Sequence, residues 1–134
     1  MEKVSRKELE KIILREIKSR KSRKDAITSI KLAHEIWVQK SSDVSPPTIR
    51  GIVRKLVMNG NRCICSCKEG YYYSTRKKDK QETYYGLINR AAQMVRRAVR
   101  IFKDKDINDV FQDLEEAYDI LEVEAEYKKV LIEF

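Results

Sequence analysis

Glycine, histidine and long apolar runs are all scarce in this chain, and each shortage removes a class of function. Only 4 glycines occur in 134 residues, so there is no glycine-rich loop to cradle phosphates. His34 is the single histidine. Alone it builds neither a triad nor a metal site, and it reads as a surface or packing residue. The spacings that mark hydrolases, His-x-Glu or paired carboxylates, are missing as well, so no enzyme, cofactor or metal is expected. No apolar run approaches the length of a membrane span. The start, MEKVSRKELEK, lacks the apolar segment of a signal peptide. A soluble cytoplasmic protein is the expectation.

What the chain does have is charge, and it is divided. Residues 1–103 carry 26 Lys or Arg against 10 Asp or Glu, which is +16; residues 104–134 carry 3 against 11, which is −8. The basic body suits an anionic polymer, and the acidic end must do different work. At 15.8 kDa the chain is long enough for one domain, or for one domain with a helical extension.

The most informative stretch is Ser45 to Ser74, SPPTIRGIVRKLVMNGNRCICSCKEGYYYS. Ser45 suits a helix N-cap, Pro46 the first helical position and Asn59-Gly60 a left-handed exit. Ile49, Ile52, Val53 and Leu56 form one apolar stripe at helical spacing. The other face carries Pro47, Arg50, Gly51, Arg54 and Lys55, a cationic row with bulk removed at its middle. That face is shaped to approach something large and anionic. Arg62–Cys67 and Tyr71–Thr75 then read as two short strands around Lys68-Glu69-Gly70, a hairpin turn in which glycine allows the positive φ.

The order Ile27-Thr28-Ser29, Leu32-Ala33, Ser45, Thr48-Ile49-Arg50, Val53, Leu56, Gly60, Ile64-Cys65-Ser66 and Gly70-Tyr71-Tyr72 resembles the winged helix-turn-helix of the biotin-repressor type. It resembles more closely the small winged-helix proteins of phages and other mobile elements. The resemblance covers roughly residues 26–75. It implies a double-stranded DNA-binding domain in which the Ser45–Met58 helix enters the major groove and the hairpin wing touches backbone or minor groove. Groove-facing candidates are then Thr48, Arg50, Gly51, Arg54 and Lys55. Lys68 at the wing tip and Arg76, Lys77 and Lys78 at its base are the phosphate candidates. Pro47 after Pro46 departs from the family pattern by stiffening the helix start.

Around this stretch the chain reads as mainly α with a small β-hairpin. Ser5-Arg6-Lys7-Glu8 is a capping-box pattern that opens a helix to about Lys18, with Leu9, Ile12, Ile13 and Ile17 as its narrow stripe, packing across the back of the domain. Ser19–Lys24 is a cationic linker, either solvated or an arm on phosphates. Ala26–Thr28 fits a short strand pairing with the wing. Thr28 or Ser29 then caps a helix with Ile30, Ala33, Ile36 and Trp37 inward. Asp79-x-x-Glu82 is a second capping-box pattern, opening a helix to about Phe102 with Tyr84, Leu87, Ile88, Ala91, Val95, Ala98, Val99 and Phe102 as its stripe. Asp106 caps a last helix running to about Ile132. Domain limits of 1–78 and 79–134 follow, the second a two-helix extension.

Cys63, Cys65 and Cys67 invite a zinc reading that strand geometry opposes. Alternate residues on a strand repeat at about 6.5 to 7 Å, whereas tetrahedral zinc, bound at about 2.3 Å, needs its sulfurs much closer. Small residues on one wing face, reduced in the cytoplasm, are the simpler reading. Of Tyr71, Tyr72 and Tyr73, alternation puts Tyr72 in the core and leaves one of the others exposed.

Val110, Phe111, Leu114, Tyr118 and Leu121 step along the last helix close to a heptad seam. Either this acidic helix lies along the arginine sides of the preceding one, or two copies pair across a dimer axis; the homodimer is preferred. The reading is thus a DNA-binding transcriptional regulator or accessory factor. The alternative is a protein-interaction module that uses the acidic C-terminal helix to bind a cationic protein partner.

Overall fold

The computed structural model describes residues 4–118 and 125–130. Its elements are α1 (Arg6–Lys18), a short 3-10 turn (Arg23–Asp25), α2 (Ser29–Lys40), α3 (Pro46–Met58), β1 (Ile64–Cys67), β2 (Gly70–Tyr73), α4 (Lys77–Ile101) and α5 (Ile107–Tyr118). Residues 125–130 are also helical. The chain divides into two compact units, Met1–Ile88 and Asn89–Phe134, and the division falls within α4. Among the described residues no helix is long and apolar enough to cross a membrane.

The first unit is built on α1. Ser5 Oγ accepts from Glu8 N at 3.2 Å, fixing the helix start. One turn later Leu9, Ile12, Ile13 and Ile17 bury together. These side chains meet α2, α3 and β2, so α1 is the centre of the core rather than a backing helix. Leu32 and Ile36 of α2, Ile49, Ile52, Val53 and Leu56 of α3, and Ile27 and Ile64 complete it. Polar contacts border the same packing: Arg15 Nη2 donates to Gln39 at 2.9 Å, Lys40 lies 3.2 Å from Glu8, and Lys55 lies 3.3 Å from Glu10.

α2 corrects the sequence reading. Thr28 caps it, its hydroxyl accepting from Lys31 N at 3.1 Å, but the inward face is Leu32 and Ile36 with Ala33 half-buried. Ile30 and Trp37, expected inside, are 70% and 54% exposed. The helix is apolar on several sides, and the core selects the pair one turn apart that faces α1 and α3.

The hairpin is tighter than expected. β1 and β2 pair antiparallel from Ile64↔Tyr73 to Cys67↔Gly70, leaving Lys68-Glu69 as a two-residue turn. Ile27 adds a one-residue bridge to Tyr71, with both amide-to-carbonyl bonds at 2.8 Å. Tyr73 N also donates to Arg20 O at 2.7 Å. Tyr72 is buried as expected. Tyr71 and Tyr73 are both half-buried against the core, so neither stands free. Cys65 is buried and Cys63 and Cys67 are half-buried, all as free thiols.

α4 begins at Lys77, two residues before the expected Asp79 cap. Buried Ser74 lies just before this start: its hydroxyl accepts from Arg76 N at 3.1 Å and donates to Asp79 Oδ2 at 2.6 Å. Asp79 is thereby drawn back toward the hairpin. α5 has the cap that was expected, since Asp106 Oδ1 accepts from Asp109 N at 2.9 Å and Asp109 Oδ2 accepts from Asp106 N at 3.3 Å.

Two glycines with positive φ separate backbone strain from steric fit. At Gly60 (φ 108°) an added Cβ meets nothing within 4 Å; at Gly70 (φ 124°) it collides with the Ile27 carbonyl and lies 2.7 Å from Thr28 N. Gly60→Ala is expected to cost about 1 kcal/mol, the strain of a left-handed residue alone. Gly70→Ala is expected to cost at least about 2 kcal/mol more, because it also breaks the Ile27–Tyr71 bridge. Urea denaturation of the two variants measures the difference, and equal midpoints would refute the bridge as a fixing contact.

Candidate nucleic-acid interface

The N-terminus of α3 is set by Ser45, whose Oγ accepts from Thr48 N at 3.4 Å and lies 2.9 Å from the Thr48 hydroxyl. Pro46 occupies the first helical position. Burial of Ile49, Ile52, Val53 and Leu56 then turns the opposite side of the helix outward. Pro47, Arg50 and Arg54 are exposed there, with Gly51 half-buried between them. Arg50 Nη1 donates to Ser29 Oγ at 3.3 Å, which steadies it beside the start of α2. Arg54 has no hydrogen-bond or ion-pair partner among the described residues.

The other anticipated residues divide. Thr48 is half-buried and spent on the cap. Lys55 is exposed but leans toward Glu10 of α1 at 3.3 Å, away from the Arg50–Arg54 row. Lys68 is exposed in the hairpin turn, and Arg76, Lys77 and Lys78 are exposed where the chain enters α4. Of these, Arg76 lies 3.9 Å from Asp79.

Arg23, within the segment expected to be a linker, has a structural role. Arg23 Nε donates to Glu69 Oε2 at 3.2 Å and Arg23 Nη1 to Glu82 Oε2 at 3.4 Å, so one guanidinium joins the turn to the beginning of α4. Its pKa is raised by the hydrogen bond and charge of Glu69. Glu69 is in turn lowered, first by a hydrogen bond with the Cys67 thiol and then by Arg23. The available signal was the isolation of Glu69 and Glu82 within a basic stretch. Thr83 adds a second tie, its hydroxyl accepting from Ser66 N at 3.1 Å. Lys18 and Lys21 both lie over the Tyr73 ring, at 5.7 and 5.6 Å, so the Ser19–Lys24 segment is held against β2 and is not a free arm.

Chemically, the surface offers cations, hydroxyls and a shallow helical face. Among the described residues no group of three or more His, Cys, Asp or Glu is placed to hold a metal ion. Comparison of the chain with family models, with curated proteins and with solved structures finds no match.

The anticipated dimer residues lie in the second unit. Val110 and Leu114 are half-buried and Phe111 is 58% exposed. Tyr118 closes α5, and Leu121 lies outside the described residues, as does most of the expected continuation to Ile132.

Burial behind the turn has a pH consequence. The Tyr72 hydroxyl is pushed up from its ordinary 10 to about 12, chiefly by loss of solvent. Because the folded value is raised, this contribution to stability is complete below pH 10 and disappears as pH climbs to 12. Cys65, also raised by burial, begins the loss nearer its ordinary 9. Tyr72→Phe is expected to remove about 2 to 3 kcal/mol of the wild-type decline across that window. Chemical denaturation at stepped alkaline pH gives the two slopes, and parallel curves would exclude Tyr72 as the source.

Proposed function

We propose that the chain binds double-stranded DNA as a winged helix-turn-helix protein, with α3 as the groove helix and the β1–β2 hairpin as the wing. A regulatory or accessory role in a phage or mobile element accords with the resemblance described above. The observation that carries the reading is Gly51. Glycine inside a helix costs about 1 kcal/mol relative to alanine. Here an added Cβ would meet only Arg54 Nη2, at an ordinary 3.9 Å. Among the described residues nothing requires glycine at this position, and close approach of a large ligand between Arg50 and Arg54 supplies a reason for it.

The flanking chemistry supports the same partner. Arg50 and Arg54 stand one turn apart on the exposed face, a spacing that suits bidentate contact with guanine or clamping of phosphates. Lys68 and the Arg76–Lys78 group add backbone contacts. If all six cations meet phosphates, log K falls with log salt at a slope of about −5.

A second reading, a protein-interaction module on a winged-helix scaffold, draws on the outward face of α2, where Ile30, Trp37 and Val38 are 70%, 54% and 63% exposed. Fluorescence anisotropy with random-sequence duplex at several salt concentrations separates the two. Under the DNA reading, Arg50→Ala/Arg54→Ala weakens binding and flattens the salt slope by about 2. Gly51→Ala raises the melting temperature yet weakens binding. A folded protein that ignores duplex DNA at low salt moves the assignment to the interaction module.

A further inference from the structure

The second unit holds two helical segments of opposite charge that fail to neutralise one another. Residues 89–103 contain five Lys or Arg and no acid, +5, while residues 104–118 contain six acids and one Lys, −5. Among the described residues none of Arg90, Arg96, Arg97, Arg100 and Lys103 pairs with a carboxylate. Lys105 is the cation that does pair, with Asp113 at 3.3 Å, and it belongs to the acidic segment itself.

The apolar side of the unit is equally unfinished. Val95, Val99 and Phe102 of the first segment and Val110, Leu114 and Ala117 of the second line an open cleft of about 310 Å³. Ile107, Phe111 and Phe102 are 63%, 58% and 55% exposed. No described residue from 89 onward is buried. Two amphipathic helices without a buried side chain do not hold themselves in water, where helix stability comes from packing an apolar face.

We infer that this face is closed by a second copy of the chain, as a two-fold four-helix bundle in which the end of α4 lies along α5 of the partner. A two-fold axis sets each segment against its opposite twice, so +5 meets −5 in both places and the apolar seams merge. Arg96, Arg97 and Arg100 flank the apolar stripe of α4, and Asp109, Asp113 and Glu116 recur at steps of three and four on α5. Rows of opposite charge beside an apolar seam select helix partners. The inference stands apart from DNA binding, since it uses no residue of α3 or the hairpin.

The test is sedimentation equilibrium of the full chain with two charge reversals, Arg96→Glu/Lys103→Glu and Asp113→Lys/Glu115→Lys. Wild type is expected at twice 15.8 kDa. Each variant alone is expected to associate about a hundredfold more weakly, because like charges then face one another twice. An equal mixture is expected to recover the dimer, since each reversed segment finds its complement in the other variant. Circular dichroism confirms that the separate variants keep their helix. Any other wild-type mass overturns the inference, as do variants that dimerise like wild type or a mixture that stays monomeric.

Discussion

Burial of Leu9, Ile12, Ile13 and Ile17 against α2, α3 and β2 is the contact on which the first unit depends. α1 offers one apolar stripe, and each partner must spend its own apolar positions to cover it. For α3 those positions are Ile49, Ile52, Val53 and Leu56, a full stripe. Its orientation is thereby decided, and Arg50, Gly51 and Arg54 face outward because their neighbours face in. The candidate interface is thus a by-product of core formation, its orientation fixed by residues buried on the opposite side of the helix.

The hairpin is oriented by different means. Four-residue strands bury little by themselves and are weak alone. Position comes from the Ile27 bridge, which demands the missing side chain of Gly70, and from two polar ties to α4. Arg23 bridges Glu69 and Glu82, and Thr83 takes up the Ser66 amide. The ion pairs are exposed and contribute modestly to stability. Their larger effect is directional: with Glu69 occupied by Arg23, Lys68 is the turn residue left to present positive charge outward.

Local signals explain which parts of this arrangement could be read in advance. α1 and α3 carry a cap residue, a clean stripe and a charged remainder, so their limits and buried residues agree with the pattern. α2 has Ile30, Leu32, Ala33, Ile36, Trp37 and Val38 around most of its circumference, and periodicity could not choose the inward face; only packing against α1 and α3 does. The start of α4 escaped for a related reason, since the Ser74 hydroxyl, buried behind the hairpin, takes up the Asp79 carboxylate and leaves Asp79 inside the first turn. The two acids that hold Arg23 stood out in a basic stretch, but their pairing with it could not be read, because they lie 46 and 59 residues away. The apolar seam of the last helix admitted two arrangements in the sequence, because amphipathic helices in a hairpin and across a two-fold axis show the same spacing.

The segregated charge gives the two ends of the chain opposed constraints. Near α3 and the hairpin, positive charge in excess of the local acids raises the attraction for a polyanion but repels any second copy that approaches there. At residues 104–118 the sign reverses, and an acidic helix repels DNA while attracting the basic end of α4. A chain distributed in this way disfavours association through its basic body and favours it through its mixed-sign C-terminal helices.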